Sequence, residues 1–211
     1  MTIQYPKRNR KKQINRERLI ESARVLFSIH GYQGTTLDDV ATKAGLHVQT
    51  LYRHFKNKDD LAIEAAKFVI EQCRERFEAA PRDQSTFQIW RGFISRAVIG
   101  LAPLGWEHKR PQLHSASSMM NNNFLLIVYS GFEDILTEYL AMDFQLDPKH
   151  DQLPRLVASL LWSGNEAALK RCAGLDTGID VLNDDEAVLA ASLKVIDDVE
   201  NIFKGYIKRP H

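Results

Sequence analysis

The residues best suited to chemistry stand close together near the N-terminus. In the stretch TTLDDVATKAGLHVQTLYRHF, positions 35–55, Val48, Gln49, Thr50, Tyr52 and Arg53 form the outer surface of a short helix whose Leu51 faces inward. Gln can pair with adenine and Arg with guanine in a major groove, while Thr and Val can meet thymine methyl groups. His47 and His54 flank this surface, and Lys58 follows at the opening of the next helix. The sequence holds no paired nucleophile and base, GxSxG elbow or phosphate-cradling glycine loop, so enzymatic chemistry is not expected. His108 and His114 lack a partner at readable spacing. The histidines and the two cysteines, Cys73 and Cys172, do not cluster at ligand spacing, so neither a metal, a cofactor nor a disulfide framework is expected.

The charge balance agrees with a polyanionic partner at one end only. The net charge of +1 averages two unlike parts. Residues 1–58 carry 12 Lys or Arg against 4 Asp or Glu, and residues 59–211 carry 16 against 23. The first part is thus +8 and the second −7. Lys7, Arg8, Arg10, Lys11 and Lys12 supply much of the excess, and residues 1–14 read as a disordered basic arm adding non-specific attraction, the alternative being an arm that enters a minor groove. The charged N-terminus has no apolar signal region, and no apolar run reaches the roughly 18 residues of a membrane span, so the expected compartment is the cytoplasm.

The elements that position these residues all have helical period, with no convincing strand. A first helix is expected over 16–30, capped by Asn15, stapled by Ile14 and Leu19, and stopped by Gly31. Thr36 opens a second helix with Asp39 three residues on, a capping-box spacing. Gly45 ends that helix and allows a tight turn into a third over 47–54. Asn57 caps a fourth that runs to Ala80 before Pro81. Five longer helices are expected at 84–101, 106–119, 122–143, 153–173 and 184–206. The fold class is therefore all-α with about nine helices. Residues 15–58 form a helix-turn-helix domain, and 59–211 a larger helical domain joined to it by the fourth helix.

The stretch LFSIHGYQGTTLDDVATKAGLHVQTLYRHFKNKDDL, positions 26–61, resembles the N-terminal domain of TetR-family transcriptional regulators. The resemblance rests on Phe27, Gly31-Tyr32, Thr35-Thr36, Val40-Ala41, Ala44-Gly45-Leu46, Thr50-Leu51-Tyr52, His54-Phe55, Lys56 and Asn57-Lys58, and covers residues 16–62. It implies a DNA interface of Thr36, His47, Val48, Gln49, Thr50, Tyr52, Arg53, His54 and Lys58. In that interface Thr36 and Lys58 would meet phosphate, and Gln49, Thr50 and Arg53 would meet base edges. The trio His47-Val48-Gln49 departs from the family pattern, in which Ser is common at the first position, so the operator sequence is not transferable from any relative.

Beyond residue 84 the chain is richer in aromatic side chains. Trp90, Phe93, Trp106, His114, Phe124, Tyr129, Trp162 and Asn165 are the candidates for lining an apolar pocket with a few orienting polar groups. The helices at 153–173 and 184–206 carry apolar residues on more than one face, and the surplus face suits a four-helix homodimer interface. A two-fold dimer would present two reading helices about 34–36 Å apart to a palindromic operator. The expected function is that of a homodimeric repressor released from DNA by a small, largely apolar effector. The alternative is a DNA-bound module controlled by a protein partner.

Overall fold

The computed structural model describes residues 6–114 and 122–208. Among them are nine α-helices: α1 (Pro6–Gly34), α2 (Leu37–Lys43), α3 (Val48–Tyr52), α4 (Lys58–Glu78), α5 (Thr86–Leu101), α6 (Arg110–His114), α7 (Asn123–Phe144), α8 (Leu153–Cys172) and α9 (Asp185–Phe203). The described residues contain no strand, only an isolated bridge between Ala173 and Asp180. The chain divides into two compact units: residues 6–69 with 122–128, and residues 70–114 with 129–208. No helix among the described residues is long and apolar enough to cross a membrane.

In the first unit, Leu19, Ala23, Phe27, Val40, Leu51, Phe55, Leu61 and Ala65 are buried. Helix α1 starts at Pro6, ten residues before the expected Arg16, so the described part of the basic arm is helical rather than disordered. Nothing between Pro6 and Gly31 breaks a helix, and Lys, Arg and Gln are good formers. Gln13 also donates to Glu17 one turn on (2.8 Å). Asn15 is therefore interior rather than a cap, and Ile14 is exposed rather than stapled. Gly31 does interrupt the helix, with φ at +70°.

The expected helix at 106–119 is mostly not continuous. Two 3-10 turns, Ala102–Leu104 and Glu107–Lys109, flank Gly105 at φ +72°, and only α6 follows, up to His114. Positions 115–119 lie outside the described residues. Pro103 and Gly105 separate this segment from α5, and within it Pro111 has no N–H to bond back to the Glu107 carbonyl.

The second unit is built around α9, which packs against both α5 and α8. Helix α5 opens on a capping box between Ser85 and Gln88, and the buried Asp143 carboxylate accepts from the Thr86 N–H (2.7 Å). One side of α9 thus finds partners inside the unit, while Leu189, Leu193 and Val195 are only half-buried. Val188, Ile196 and Val199 are buried, and the remaining face carries an exposed Lys194–Asp198 pair (2.7 Å). Exposed apolar surface remains on α8, at Leu156 and Leu160, and at Ile202 near the end of α9. Cys73 and Cys172 are buried free thiols, and burial pushes Cys73 up to about 12.

Gly164 is where α8 and α9 come closest: a Cβ added there would lie 2.2 Å from Val195 Cγ1. Gly164→Ala is expected to lower unfolding free energy by about 1–3 kcal/mol through overpacking. Gly100→Ala, in a helix with nothing within 4 Å of the new methyl, should be neutral or stabilising by up to about 1 kcal/mol. Denaturant titration of both variants checks the pair, and equal effects would show that the crossing is not tight.

Candidate nucleic-acid interface

Helix α3 is placed by the elements before it. Thr35 is buried, and its hydroxyl faces the Gly31 and Leu26 carbonyls (2.9 and 3.1 Å), which fixes the turn out of α1. Thr36 then caps α2. Its hydroxyl accepts from the Asp39 N–H (3.1 Å) and donates to Asp39 Oδ2 (2.6 Å), while its backbone N–H donates to the same oxygen (2.9 Å). These bonds hold the Asp39 carboxyl below the usual range. Both donors expected to meet phosphate at Thr36 are therefore already directed at Asp39.

At the other end of α2, Gly45 takes φ +65°, and the Gly45 and Leu46 N–H groups close on the Thr42 and Ala41 carbonyls (both 2.9 Å). This is the left-handed helix stop that glycine supplies without strain. A Cβ at this position would also sit 3.0 Å from Arg18 Nη2, so α1 closes over the turn.

Helix α3 spans only Val48–Tyr52, with His47 at its N-cap making no side-chain cap bond. Leu51 is fully buried and Phe55 nearly so. Gln49, Tyr52 and Arg53 are exposed, Val48, Thr50 and His54 half-buried, and His47 exposed. The expected reading surface is thus one contiguous exposed side of a helix anchored by Leu51.

Two cations outside the expected interface, Arg16 and Lys12, lie near α3. Arg16 lies over the Phe55 ring (5.3 Å) and forms an ion pair with Glu64, clamping α1 to α4 beside α3. Burial pushes His54 below the ordinary histidine value, and the positive charges of Lys12 and Arg16 push it further. Lys12 therefore lies near the end of the reading helix, carried there by the unforeseen extension of α1. Its four-residue spacing from Arg16 on an unbroken helical pattern was the available signal.

Lys58 opens α4, where Asn57 Oδ1 accepts from the Asp60 N–H (2.8 Å) and Asp60 Oδ2 from the Lys56 N–H (3.1 Å). Its ammonium sits over the Tyr32 ring at 4.3 Å, and partial burial lowers its pKa against the pull of Asp59. Tyr32 donates to Asp59 Oδ1 (2.6 Å), as does Asn123 Nδ2 (3.2 Å), which keeps Asp59 ionised. Burial and the Asp59 carboxylate together push Tyr32 up to about 12.

The expected ligand residues do not all meet. Trp90, Phe93, Tyr129 and Trp162 join Phe132 in one aromatic cluster of the second unit. Phe124 instead belongs to the first unit, packed on Phe27 at 5.5 Å, because the start of α7 is counted there. Trp106 is buried but tied to Asp185 Oδ1 (2.9 Å), and His114 is exposed, so neither joins the cluster. Asn165 lies one turn beyond Trp162. An open groove of about 570 Å³ on α7, with Thr137, Met142, Leu146 and Arg155 among its walls, includes none of these residues. Its Arg155 is paired with Glu133 and Asp134, and its Glu138 with Arg74.

Known proteins agree with this geometry. The sequence model described as bacterial regulatory proteins, tetR family, matches residues 19–65. The chain is 32% identical over 152 residues to the HTH-type transcriptional regulator TcmR of Streptomyces glaucescens, which covers 72% of this chain and 62% of TcmR. It is 39% identical over 62 residues to the biofilm operon negative transcriptional regulator IcaR of Staphylococcus epidermidis, covering 29% of this chain and 31% of IcaR. The chain therefore spans less than two thirds of the length of these relatives. In fold it resembles FadR of Bacillus subtilis, solved in complex with stearoyl-CoA, with a TM-score of 0.52 at 20% identity over 85% of this chain and 98% of that one. A helix-turn-helix of this geometry, within a matched segment that includes Leu51, Phe55 and Lys58, identifies residues 19–65 as the N-terminal domain of the tetR family of bacterial regulatory proteins.

Proposed function

We propose that the protein is a homodimeric transcriptional repressor of the cytoplasm that leaves a palindromic operator when its second domain binds a small, largely apolar molecule. The observation that carries this reading is the exposed side of α3, held out by the buried Leu51, with Arg53 at its C-cap, Lys12 and Arg16 near His54, and Lys58 opening the next helix. Phosphate contacts supply affinity and base contacts supply sequence choice. Gln49, Thr50 and Arg53 meet base edges, and His47 and Val48 are the positions where this chain's sequence preference is its own. Tyr52, His54 and Lys58 meet the backbone, and Thr36 contributes by aiming α2. In domain terms the head is 15–58, extended by the helical start of α1, and 59–211 is the ligand and dimer domain. The naming of IcaR as a negative regulator supports repression. The stearoyl-CoA held by FadR supports control by a small molecule. Ligand shifts the equilibrium only by its differential affinity for the DNA-competent and incompetent states.

The base and phosphate roles separate in one experiment. Binding sequences are first selected from a random duplex pool, then competed against scrambled DNA. Arg53→Ala should relax discrimination at its contacted base by about 1–3 kcal/mol. Lys58→Ala should weaken specific and scrambled DNA alike and flatten the salt slope by about one. Unchanged discrimination by Arg53→Ala would remove Arg53 from the reading set.

His54 gives a pH dependence of known sign. Its folded pKa lies below the unfolded value of about 6.5, so the free protein loses stability from this group as pH falls through the folded pKa. A phosphate beside it favours the protonated form, so DNA binding takes up a proton. Affinity should rise by up to about tenfold per unit of pH between 7.5 and 6, and His54→Gln should remove part of that rise. Parallel pH profiles for the two proteins would take His54 away from the backbone.

Dimerisation is supported by the exposed Leu156 and Leu160, one turn apart on α8. Leu156→Glu with Leu160→Glu should shift sedimentation toward monomer and weaken operator binding, with helical content unchanged. A dimer that survives both changes must form through another face.

A further inference from the structure

Trp90, Phe93, Phe132, Trp162 and Tyr129 form a continuous chain of ring contacts drawn from α5, α7 and α8. Trp90 stacks on Phe93 (5.3 Å, 17° between planes), Phe132 meets both edge-on (5.5 and 5.3 Å), and Phe132 reaches Trp162 (5.6 Å), which abuts Tyr129 (3.9 Å). Rings dominate this part of the second unit, and ring faces and edges favour other rings at such separations.

Two buried polar atoms at this cluster have no partner. Trp90 has no exposed surface, yet its Nε1–H finds no acceptor. Asn165, three residues beyond Trp162 and so on the same side of α8, donates from Nδ2 to the Leu161 carbonyl (3.3 Å), while its buried Oδ1 accepts nothing. The Leu161 carbonyl can face only the amide nitrogen, which fixes the amide's orientation. Native interiors rarely leave such atoms unsatisfied, and an unoccupied ligand position is one reason to find them so. One orphan is a donor and the other an acceptor, and neither is charged. The charged groups beyond Asn165, Glu166 and Lys170, are paired with each other (2.9 Å). Burial and Glu166 keep the Tyr129 hydroxyl protonated.

On the reading of the protein as ligand-responsive, we infer that the effector is a neutral, planar aromatic molecule bearing a hydrogen-bond acceptor for Trp90 and a donor for Asn165, seated against the five-ring cluster. An acyl chain satisfies neither orphan. A carboxylate or phosphate could accept from Trp90 but has no proton to donate to Asn165 Oδ1.

Calorimetric titration of the full chain without DNA tests this, with 6-hydroxyflavone (planar, one carbonyl, one phenol), flavone (no donor) and stearoyl-CoA as probes. The expected result is saturable binding of 6-hydroxyflavone, about tenfold weaker binding of flavone, and none of stearoyl-CoA. Trp90→Phe should weaken both flavones about tenfold, while Asn165→Leu should weaken 6-hydroxyflavone and leave flavone unchanged. Thermal melts establish that each variant is folded, and where Trp90→Phe is not, the comparison of the two flavones across Asn165→Leu decides alone. Equal affinity for the two flavones, no saturable binding of 6-hydroxyflavone, or binding of stearoyl-CoA alone overturns the inference. Operator release by stearoyl-CoA would leave the ligand-responsive reading standing while overturning this one. Loss of operator binding altogether would strike the former and not the latter.

Discussion

A helix of five residues cannot hold itself together in water, because nucleation alone outweighs the few hydrogen bonds it makes. Everything about the reading surface follows from how α3 is nevertheless held. Leu51 and Phe55 bury on one side, and the Gly45 turn fixes the angle at which α3 leaves α2. Thr36 and Asp39 hold the start of α2, and Thr35 anchors the chain to the end of α1. None of these residues needs to touch DNA. Their common effect is that Gln49, Tyr52 and Arg53 stand exposed on a backbone whose position folding has already fixed.

The same support places the cations. Arg16 serves two purposes, since its guanidinium covers the Phe55 ring and pairs with Glu64 while its charge depresses His54. Lys58 is held over Tyr32 rather than left to sweep through solvent, and Tyr32 is in turn tied to Asp59. A cation–π contact leaves the ammonium's charge available to a phosphate while narrowing where it can be. The positive field around α3 is thus organised by packing, and a helical start to α1 adds Lys12 in a defined direction where a flexible arm would add only an average charge.

What was legible in the sequence is mostly what is local. The Thr36–Asp39 and Asn57–Asp60 pairs lie three residues apart, and both form the expected cap bonds. Gly31 and Gly45 take the left-handed conformations their positions demanded. Leu51 is buried as helical period requires. What was not legible depends on partners distant in sequence. Phe124 looked like a pocket residue until Phe27, in α1, proved to be its neighbour. Trp106 finds Asp185 across a long stretch of chain, and which side of α9 is covered depends on α5 and α8, which pack against it. The start of α1 failed for another reason: Asn15 looked like a cap only because it preceded a good apolar pattern, and nothing upstream of it forbade a helix.

Thr36 shows how a site residue can be right in place and different in kind. A hydroxyl at a helix start suggests a phosphate contact, yet its proton and its backbone N–H both go to Asp39. The capping box therefore occupies both donors of Thr36, and what the residue fixes is the start of α2. The aromatic cluster of the second unit shows the converse. There the side chains are packed but Trp90 Nε1 and Asn165 Oδ1 are left over. In the head, the polar groups that shape the fold are satisfied and the exposed ones are free to meet a partner that comes from solvent. In the second unit the unsatisfied groups are inside, where burial makes a missing hydrogen bond costly.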